Sequence, residues 1–314
     1  MNYNGYEKIP LTSTQWKNVD QKIIKQTKWA VTEKIHGSCF CFVYNCETKK
    51  VKYAKRKNFI NETETFFGYK QILPQLLPKI INLGELVSFK HPDAKFVNVY
   101  GELFGGEYPN FNSEYNVNPV QSGIYYSPDL HFYAFDISLI NNENSETYLD
   151  FKDSLMEFTN VGLLHAKPLT ILNTYDKAIE WPIYFNSTIP KKLGLPELKD
   201  NKAEGIVIRS MTGRFITKIK IKEFNESNDG NNIYDNNGYV ASDNQVIVLD
   251  RLKIDATKHI TLARLNNAIS KIGEYDKNKS EILDEFVNDV QLEINCFHDW
   301  ELTLWIKNQC EKIM

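Results

Sequence analysis

"EKIHGSCFCFVY", Glu33 to Tyr44, is the stretch on which the fold turns. A lysine, a histidine and a glycine stand within four residues of one another, inside the otherwise apolar run "WAVTEKIHGSCFCFVY". The second half, "CFCFVY", reads as a strand, because aromatic and β-branched residues follow directly on turn formers. A lysine so placed invites a chemical reading. Nucleophilic attack needs the neutral amine, and at the ordinary lysine pKa only about 0.04% of it is neutral at pH 7. Apolar surroundings and nearby cations both lower that pKa. Lys218 and Lys220 are candidate cations, and Gly37 lets backbone or phosphate come close. Taken alone, "KIHG" also describes an ordinary surface lysine before a turn.

Outward from this stretch, "FVNVYGELF", "HFYAFDISLI", "GIVIRS" and "RFITKIKIK" carry the same strand chemistry. Strands and helices do not alternate regularly, so the chain reads as a mixed, mostly antiparallel α+β domain rather than a doubly wound parallel sheet. The texture changes at "NESNDGNNIYDNNGY" (225–239), which is almost all turn chemistry and reads as a polar linker or loop. Beyond it Leu262, Leu265, Ile269 and Ile272 fall on one helix face, as do Leu283, Val287, Val290 and Ile294. "WELTLWIKNQCEKIM" is a third amphipathic stretch. The expected organisation is an α+β domain over 1–224, a linker over 225–239 and a small all-helical domain over 240–314.

The 314 residues suffice for two domains, and 42% hydrophobic content is that of a globular protein. No apolar run reaches the roughly 18 residues of a membrane span, and the first residues lack a signal-peptide layout. Five cysteines without a CxxC pair argue against a disulfide framework or a structural zinc site. An intracellular, reducing and cytoplasmic setting is expected, with no membrane partner. The net charge of −3 hides two basic runs, "KKVKYAKRK" (49–57) and Arg214 to Lys222, which suit a nucleic-acid backbone better than the total does. No Walker A loop, GxGxxG, HExxH or GxSxG occurs, so nucleotide chemistry would need another apparatus.

Six fragments in order supply one: "KIHG" (34–37), "AKR" (54–56), "YGELFGG" (100–106), "FYAFD" (132–136), "AEGIVIR" (203–209) and "KIK" (218–220). The series resembles the motifs of the lysyl-AMP nucleotidyltransferases, which include ATP-dependent ligases and capping enzymes. The histidine of "KIHG", "FFGY" (66–69) and "LARLNNAISKIGE" (262–274) are similar to the RNA ligase 2 family of double-stranded RNA ligases.

That resemblance implies a nucleotidyltransferase fold with ATP-grasp-like antiparallel sheets and flanking helices, ahead of the helical domain. It implies an ATP-dependent RNA ligase that joins 3′-OH and 5′-phosphate ends in RNA repair or editing, through lysyl-AMP and RNA-adenylate. Nicked duplex RNA is the expected partner, the protein is expected to be a monomer, and Mg2+ is the expected metal, with Mn2+ able to substitute.

By motif, Lys34 matches the nucleophile that carries AMP, and Glu102 the acid holding the ribose. Phe135 matches the ring stacked on adenine, and Arg56 a nucleotide-contacting arginine. Lys218 and Lys220 match the cations on the α-phosphate, with Lys222 on the same face a poorer match. Glu204 matches a catalytic acid associated with the divalent metal. Glu33 and Ile35 would contact the nucleotide through their backbone. His36 stands where DNA ligases and capping enzymes carry aspartate and is linked to sealing, and Ser38, Phe66 and Phe67 match end-joining positions. Cys39 departs from a family asparagine at a nucleotide-contacting position, and Thr32 replaces an expected basic residue. The rivals are a DNA ligase or capping enzyme, whose OB-fold should follow motif V where helices stand here, and a non-catalytic RNA-binding relative, which need not keep the whole set.

Overall fold

The protein was analysed as a computed structural model, which describes residues 3–10, 27–113, 115, 117–224, 245–294 and 300–314. The polar stretch 225–239 lies outside the described residues, as does Cys296. The chain divides into two compact units, 1–221 and 222–314.

The first unit is built on two antiparallel sheets joined by the lysine turn. Strand β1 (Trp29–Glu33) belongs to one and β2 (Ser38–Asn45) to the other, so residues 34–37 are the crossover between them. The second sheet continues with β3 (Val51–Lys55), β4 (Ala94–Glu107), β5 (Ser127–Asn141) and β6 (Glu146–Tyr148), in the order β3-β2-β4-β5-β6. The first is completed by β7 (Thr170–Leu172), β8 (Gly205–Ser210) and β9 (Ile216–Lys220), in the order β7-β1-β8-β9. Both basic runs thus fall on edge strands, β3 and β9, where lysines discourage further pairing.

Alternation along the strands sorts the side chains. On one face of the five-stranded sheet Cys41, Val43, Tyr100 and Ile140 form a core with Tyr6. On the other, Phe40, Phe42 and Phe132 pack edge to face. Helix α1 (Leu73–Lys90) lies over β2, and a Cβ at its Gly84 would fall 2.5 Å from the Tyr44 ring. Pro78 hides this helix in the sequence, although Ile80, Leu83, Gly84 and Val87 keep helical spacing on its buried face. Helices α2 (Phe151–Asn160), α3 (Tyr175–Ile179) and α4 (Ile189–Lys192) fill the connections.

The expected strand 214–222 is shorter than the pattern suggested. It ends at Lys220, and Lys222 is exposed in a 3-10 turn, Lys222–Phe224. The cause is the return of Ile221, whose N–H donates to the Glu204 carbonyl and whose side chain is buried.

The second unit holds α5 (Gln245–His259), α6 (Leu262–Ile272), α7 (Lys279–Glu293) and α8 (Trp300–Ile313). Leu265, Leu283, Val287, Val290 and Ile294 are buried as their spacing predicts, but Leu262 is 64% exposed. It is the first residue after the Thr261 cap, whose hydroxyl accepts from the Arg264 N–H, so no preceding turn of the same helix covers it. Arg264 is buried through its ion pair with Asp289.

Candidate active site

The site grows from the crossover. Past the end of β1 the Lys34 N–H still donates to the Gly205 carbonyl at 3.0 Å, which extends the β1–β8 ladder by one bond. Gly205 has φ +145°, and a Cβ there would meet the Ile219 carbonyl at 2.1 Å, so only glycine can follow Glu204 into β8. On the other side of β8, Gly205 pairs with Lys220. Glu204 is thereby bracketed by two lysine-bearing strands.

Its carboxylate is used on both oxygens. Lys34 Nζ is 2.5 Å from Oε2, and Lys220 Nζ is 3.2 Å from Oε1. His36 Nδ1 is 3.4 Å from Oε2. Burial alone would raise the Glu204 pKa, but Lys34, then Lys220 and His36 overrule it and hold the carboxyl well below its usual range. The group is therefore an anion throughout neutral pH.

Gly37 explains the tightness of the turn. A Cβ on it would meet the Leu103 carbonyl at 2.3 Å and Glu102 Cγ at 2.8 Å, so backbone crosses directly over the strand that carries Glu102. Glu102 is half-buried, and burial raises its pKa to about 7, with Glu204 adding to the rise and Lys34, Arg56 and Lys218 opposing it. Lys34, Arg56, Lys218, Glu102 and Glu204 are thus one electrostatic cluster. Lys218 pairs with Val207 and Lys220 with Gly205, so both lysines lie on one face of β9.

Cys39 lies opposite Glu102 across the β2–β4 ladder, where burial and that carboxylate push its thiol up. It stays neutral and is a poor nucleophile. Arg56 is fixed by the N-terminal segment: its Nε donates to the Tyr6 carbonyl at 3.2 Å, and the Tyr6 N–H donates to the Arg56 carbonyl at 2.8 Å. Pro10 accepts from the Lys218 N–H and from the Thr217 hydroxyl, so the same segment also lines β9.

Phe135 is the extra residue of a β-bulge, because Tyr100 pairs with Asp136 while Gly101 pairs with Ala134. Its half-buried ring stands 5.1 Å from Tyr6 and packs on the same side as Cys39. The bulge is held by residues that the motif reading passed over. Asp136 is fully buried and accepts from Arg209 Nη2 (2.7 Å), Arg214 Nη1 (2.8 Å) and the Tyr6 hydroxyl (2.7 Å). Arg209 Nη1 also donates to the Phe135 carbonyl at 2.7 Å, which ties β8 of one sheet to β5 of the other. The signal lay in the sequence: a charge inside "YAFDIS" and another inside "GIVIRS" each demand a buried partner.

Other expected site residues are placed differently. The Glu33 side chain turns away from the cluster and accepts from the Ser187 hydroxyl (2.5 Å), the Thr188 N–H (2.8 Å) and the Thr188 hydroxyl (2.6 Å). Only its backbone is on the Lys34 side, as for buried Ile35, whose carbonyl lies 3.5 Å from Lys34 Nζ. Thr32 is buried, its hydroxyl 3.3 Å from the Val207 carbonyl. Ser38 is fully buried opposite Leu103. Phe66 packs against Phe40, on the far face of the sheet from Glu102, with Phe67 beside it. Phe66 and Phe67 have φ of +32° and +54°, a strained backbone for aromatic residues.

Among the described residues no three or more His, Cys, Asp or Glu side chains form a metal-holding group. Glu204 can offer an ionised carboxylate, which fits Mg2+ binding through one protein ligand, retained waters and phosphate oxygens.

Residues 27–221 match the family described as RNA ligase. The chain belongs to the RNA ligase family. With membership comes the enzyme class that the motifs implied, an RNA ligase. The ligase is 30% identical over 305 residues to the mitochondrial RNA-editing ligase 2 of Trypanosoma brucei brucei, an alignment covering 82% of this chain and 73% of that protein. It is 28% identical over 236 residues to the mitochondrial RNA-editing ligase 1, covering 66% of this chain and 50% of the relative. The ligase thus spans about half the length of the second relative. A solved Naegleria gruberi RNA ligase with PPi is similar with a TM-score of 0.45 and 16% identity, over 69% of this chain and 56% of that one.

Proposed function

We propose that this ligase joins RNA 3′-OH and 5′-phosphate ends at nicks in duplex RNA, with Lys34 as the residue that carries AMP. The reading rests above all on the Lys34–Glu204–Lys220 cluster at the crossover, a lysine held by a buried anion beside further cations. In the first step Lys34 Nζ, having lost a proton, forms a bond to the α-phosphorus of ATP as the bond to pyrophosphate breaks. Lys218 and Lys220 neutralise charge developing on the phosphate oxygens, and Glu102 accepts from a ribose hydroxyl. Phe135 offers its ring to the adenine, and Arg56 a guanidinium to the nucleotide. The AMP then passes to the RNA 5′-phosphate, and the 3′-OH displaces it.

The ion pair gives the first step an electrostatic consequence. A phosphoramidate nitrogen carries no ammonium charge, so Glu204 loses its nearest cation once Lys34 is charged with AMP. Oε2, relieved of the lysine charge, can then offer a lone pair to a divalent ion. Such an ion, when bound, supplies positive charge to the phosphates. His36 remains beside the same oxygen and is the candidate for the sealing step. Support for Ser38, Phe66 and Phe67 in end joining comes from the family resemblance.

Every one of these residues lies within one unit, so a monomer suffices. An intracellular, reducing setting agrees with the free thiols Cys39 and Cys46. Both trypanosome relatives carry "mitochondrial" in their names, and no described helix is long and apolar enough to cross a membrane.

Incubation with α-labelled ATP and Mg2+ is expected to label the protein covalently, and Lys34→Ala to abolish the label. Absence of label from the unmodified protein with every divalent metal tried would falsify the reading. Offering the labelled protein nicked RNA duplex, nicked RNA/DNA hybrid and single strands tests the joint, and faster sealing of single strands overturns the duplex assignment.

A further inference from the structure

Lys34 is flanked on both sides by residues tied to distant parts of the unit. Upstream, Glu33 is anchored on Ser187 and Thr188. Downstream, the His36 N–H donates to the Tyr126 hydroxyl at 2.9 Å. Tyr126 is buried, with its ring edge-on to Phe104 at 5.2 Å. Its backbone is gripped one residue earlier by Asn201: the Tyr125 N–H donates to Asn201 Oδ1 (2.9 Å), and Asn201 Nδ2 donates to the Tyr125 carbonyl (2.7 Å). The Asn201 carbonyl in turn accepts from the Ser187 N–H at 2.8 Å. A closed circuit results, running Glu33–Ser187–Asn201–Tyr125–Tyr126–His36, with Lys34 bridging its ends. Asn201 also stands three residues before Glu204. Both partners of the central ion pair therefore hang from the same frame.

We propose that Tyr126, gripped by Asn201, is a positioning residue whose hydroxyl fixes the 34–37 turn and so holds Lys34 in register with Glu204 for AMP transfer to the lysine. The His36 amide is buried, and without the hydroxyl it loses its acceptor. The turn must then find another partner by moving, and a small displacement of a nucleophile is expensive. The hydroxyl is suited to this duty at any working pH. Burial and the Glu33 carboxylate, with lesser help from Glu204 and Glu102, push its pKa well above 10 against the opposing His36 hydrogen bond.

The inference rests on Lys34 as the AMP acceptor. Tyr126→Phe removes one oxygen and keeps the ring. In the full chain, the saturated rate of protein–AMP formation is expected to fall about tenfold, while the ATP concentration for half-saturation changes less than about twofold. A residue serving stability alone would lower the melting temperature and leave the rate per folded molecule unchanged. Asn201→Asp keeps the acceptor for Tyr125 and loses the donor, so it should give a smaller loss of the same kind. The double variant should be no worse than Tyr126→Phe within about twofold, because both act through one hydroxyl. A normal rate in folded Tyr126→Phe, a loss confined to half-saturation, or full additivity with Asn201→Asp overturns the inference. Failure of the unmodified protein to take label sinks the proposed function instead, so the two failures are distinguishable. Should Tyr126→Phe not fold, a normal rate in Asn201→Asp overturns the inference by itself.

Discussion

At the scale of single residues, two carboxylates close to the same lysine are driven in opposite directions. Glu204 has two lysine partners and His36 beside it and is held ionised, whereas Glu102 is pushed up to about 7, chiefly by burial. Folding therefore favours the protonated form of Glu102. Between about pH 4.5 and 7 the folded state binds more protons than the unfolded chain, so this residue makes stability fall as pH rises through that window. Glu102→Gln should remove that slope, with a difference of order 1–3 kcal/mol in unfolding free energy developing by pH 8. Urea titrations of both proteins at pH 5, 6, 7 and 8 would show it, and parallel pH profiles would refute it. The Lys34, Glu102, Glu204, Lys218 and Lys220 set was legible through its resemblance to ordered family motifs, and the structure brings those residues into one electrostatic cluster. Tyr126 and Asn201 were not, because a neutral hydroxyl and an amide supporting backbone groups leave no pattern in one sequence.

At the scale of elements, strands were read better than what joins them. β8 matches the "GIVIRS" pattern residue for residue, while α1 was missed because Pro78, inside it, contradicts helix propensity, although Pro74 in its first turn does not. The end of β9 was overrun because Lys222 keeps the strand parity although Ile221 has already turned inward. The bulge in β5 had no local signature at all, since it is defined by the partner strand. Its anchor makes a clear prediction. Asp136→Ala leaves the buried Arg209 and the partly buried Arg214 without their shared anion and should destabilise the first unit by about 3–5 kcal/mol, read by chemical denaturation. Asp136→Asn should cost less, because an amide oxygen can still accept. A change under about 1 kcal/mol in the alanine variant would show that the bracket contributes little.

At the scale of the whole molecule, the sequence divides where its texture changes, since turn chemistry and helical periodicity cannot share one core. All the candidate site residues fall within residues 1–221, the span that also matches the family over 27–221. A fragment ending at residue 224 should therefore still take AMP from labelled ATP, within about threefold of the full chain per folded molecule. Loss of label from a fragment with an intact circular-dichroism spectrum would place an essential group in the helical unit.

The bulge at Phe135 bears on how such a molecule can change by descent. Removing that one codon would leave Tyr100 opposite Asp136 and Gly101 opposite Ala134, so the ladder would close with no other residue changing its strand partner or face, and Arg209 Nη1 would exchange the Phe135 carbonyl for another acceptor. A lineage can acquire or discard the aromatic platform in a single in-frame step, while most substitutions that reach the sheet must be accommodated by its packing. On the proposed reading of Phe135, the nucleotide contact and the fold that displays it are, in that sense, separately heritable.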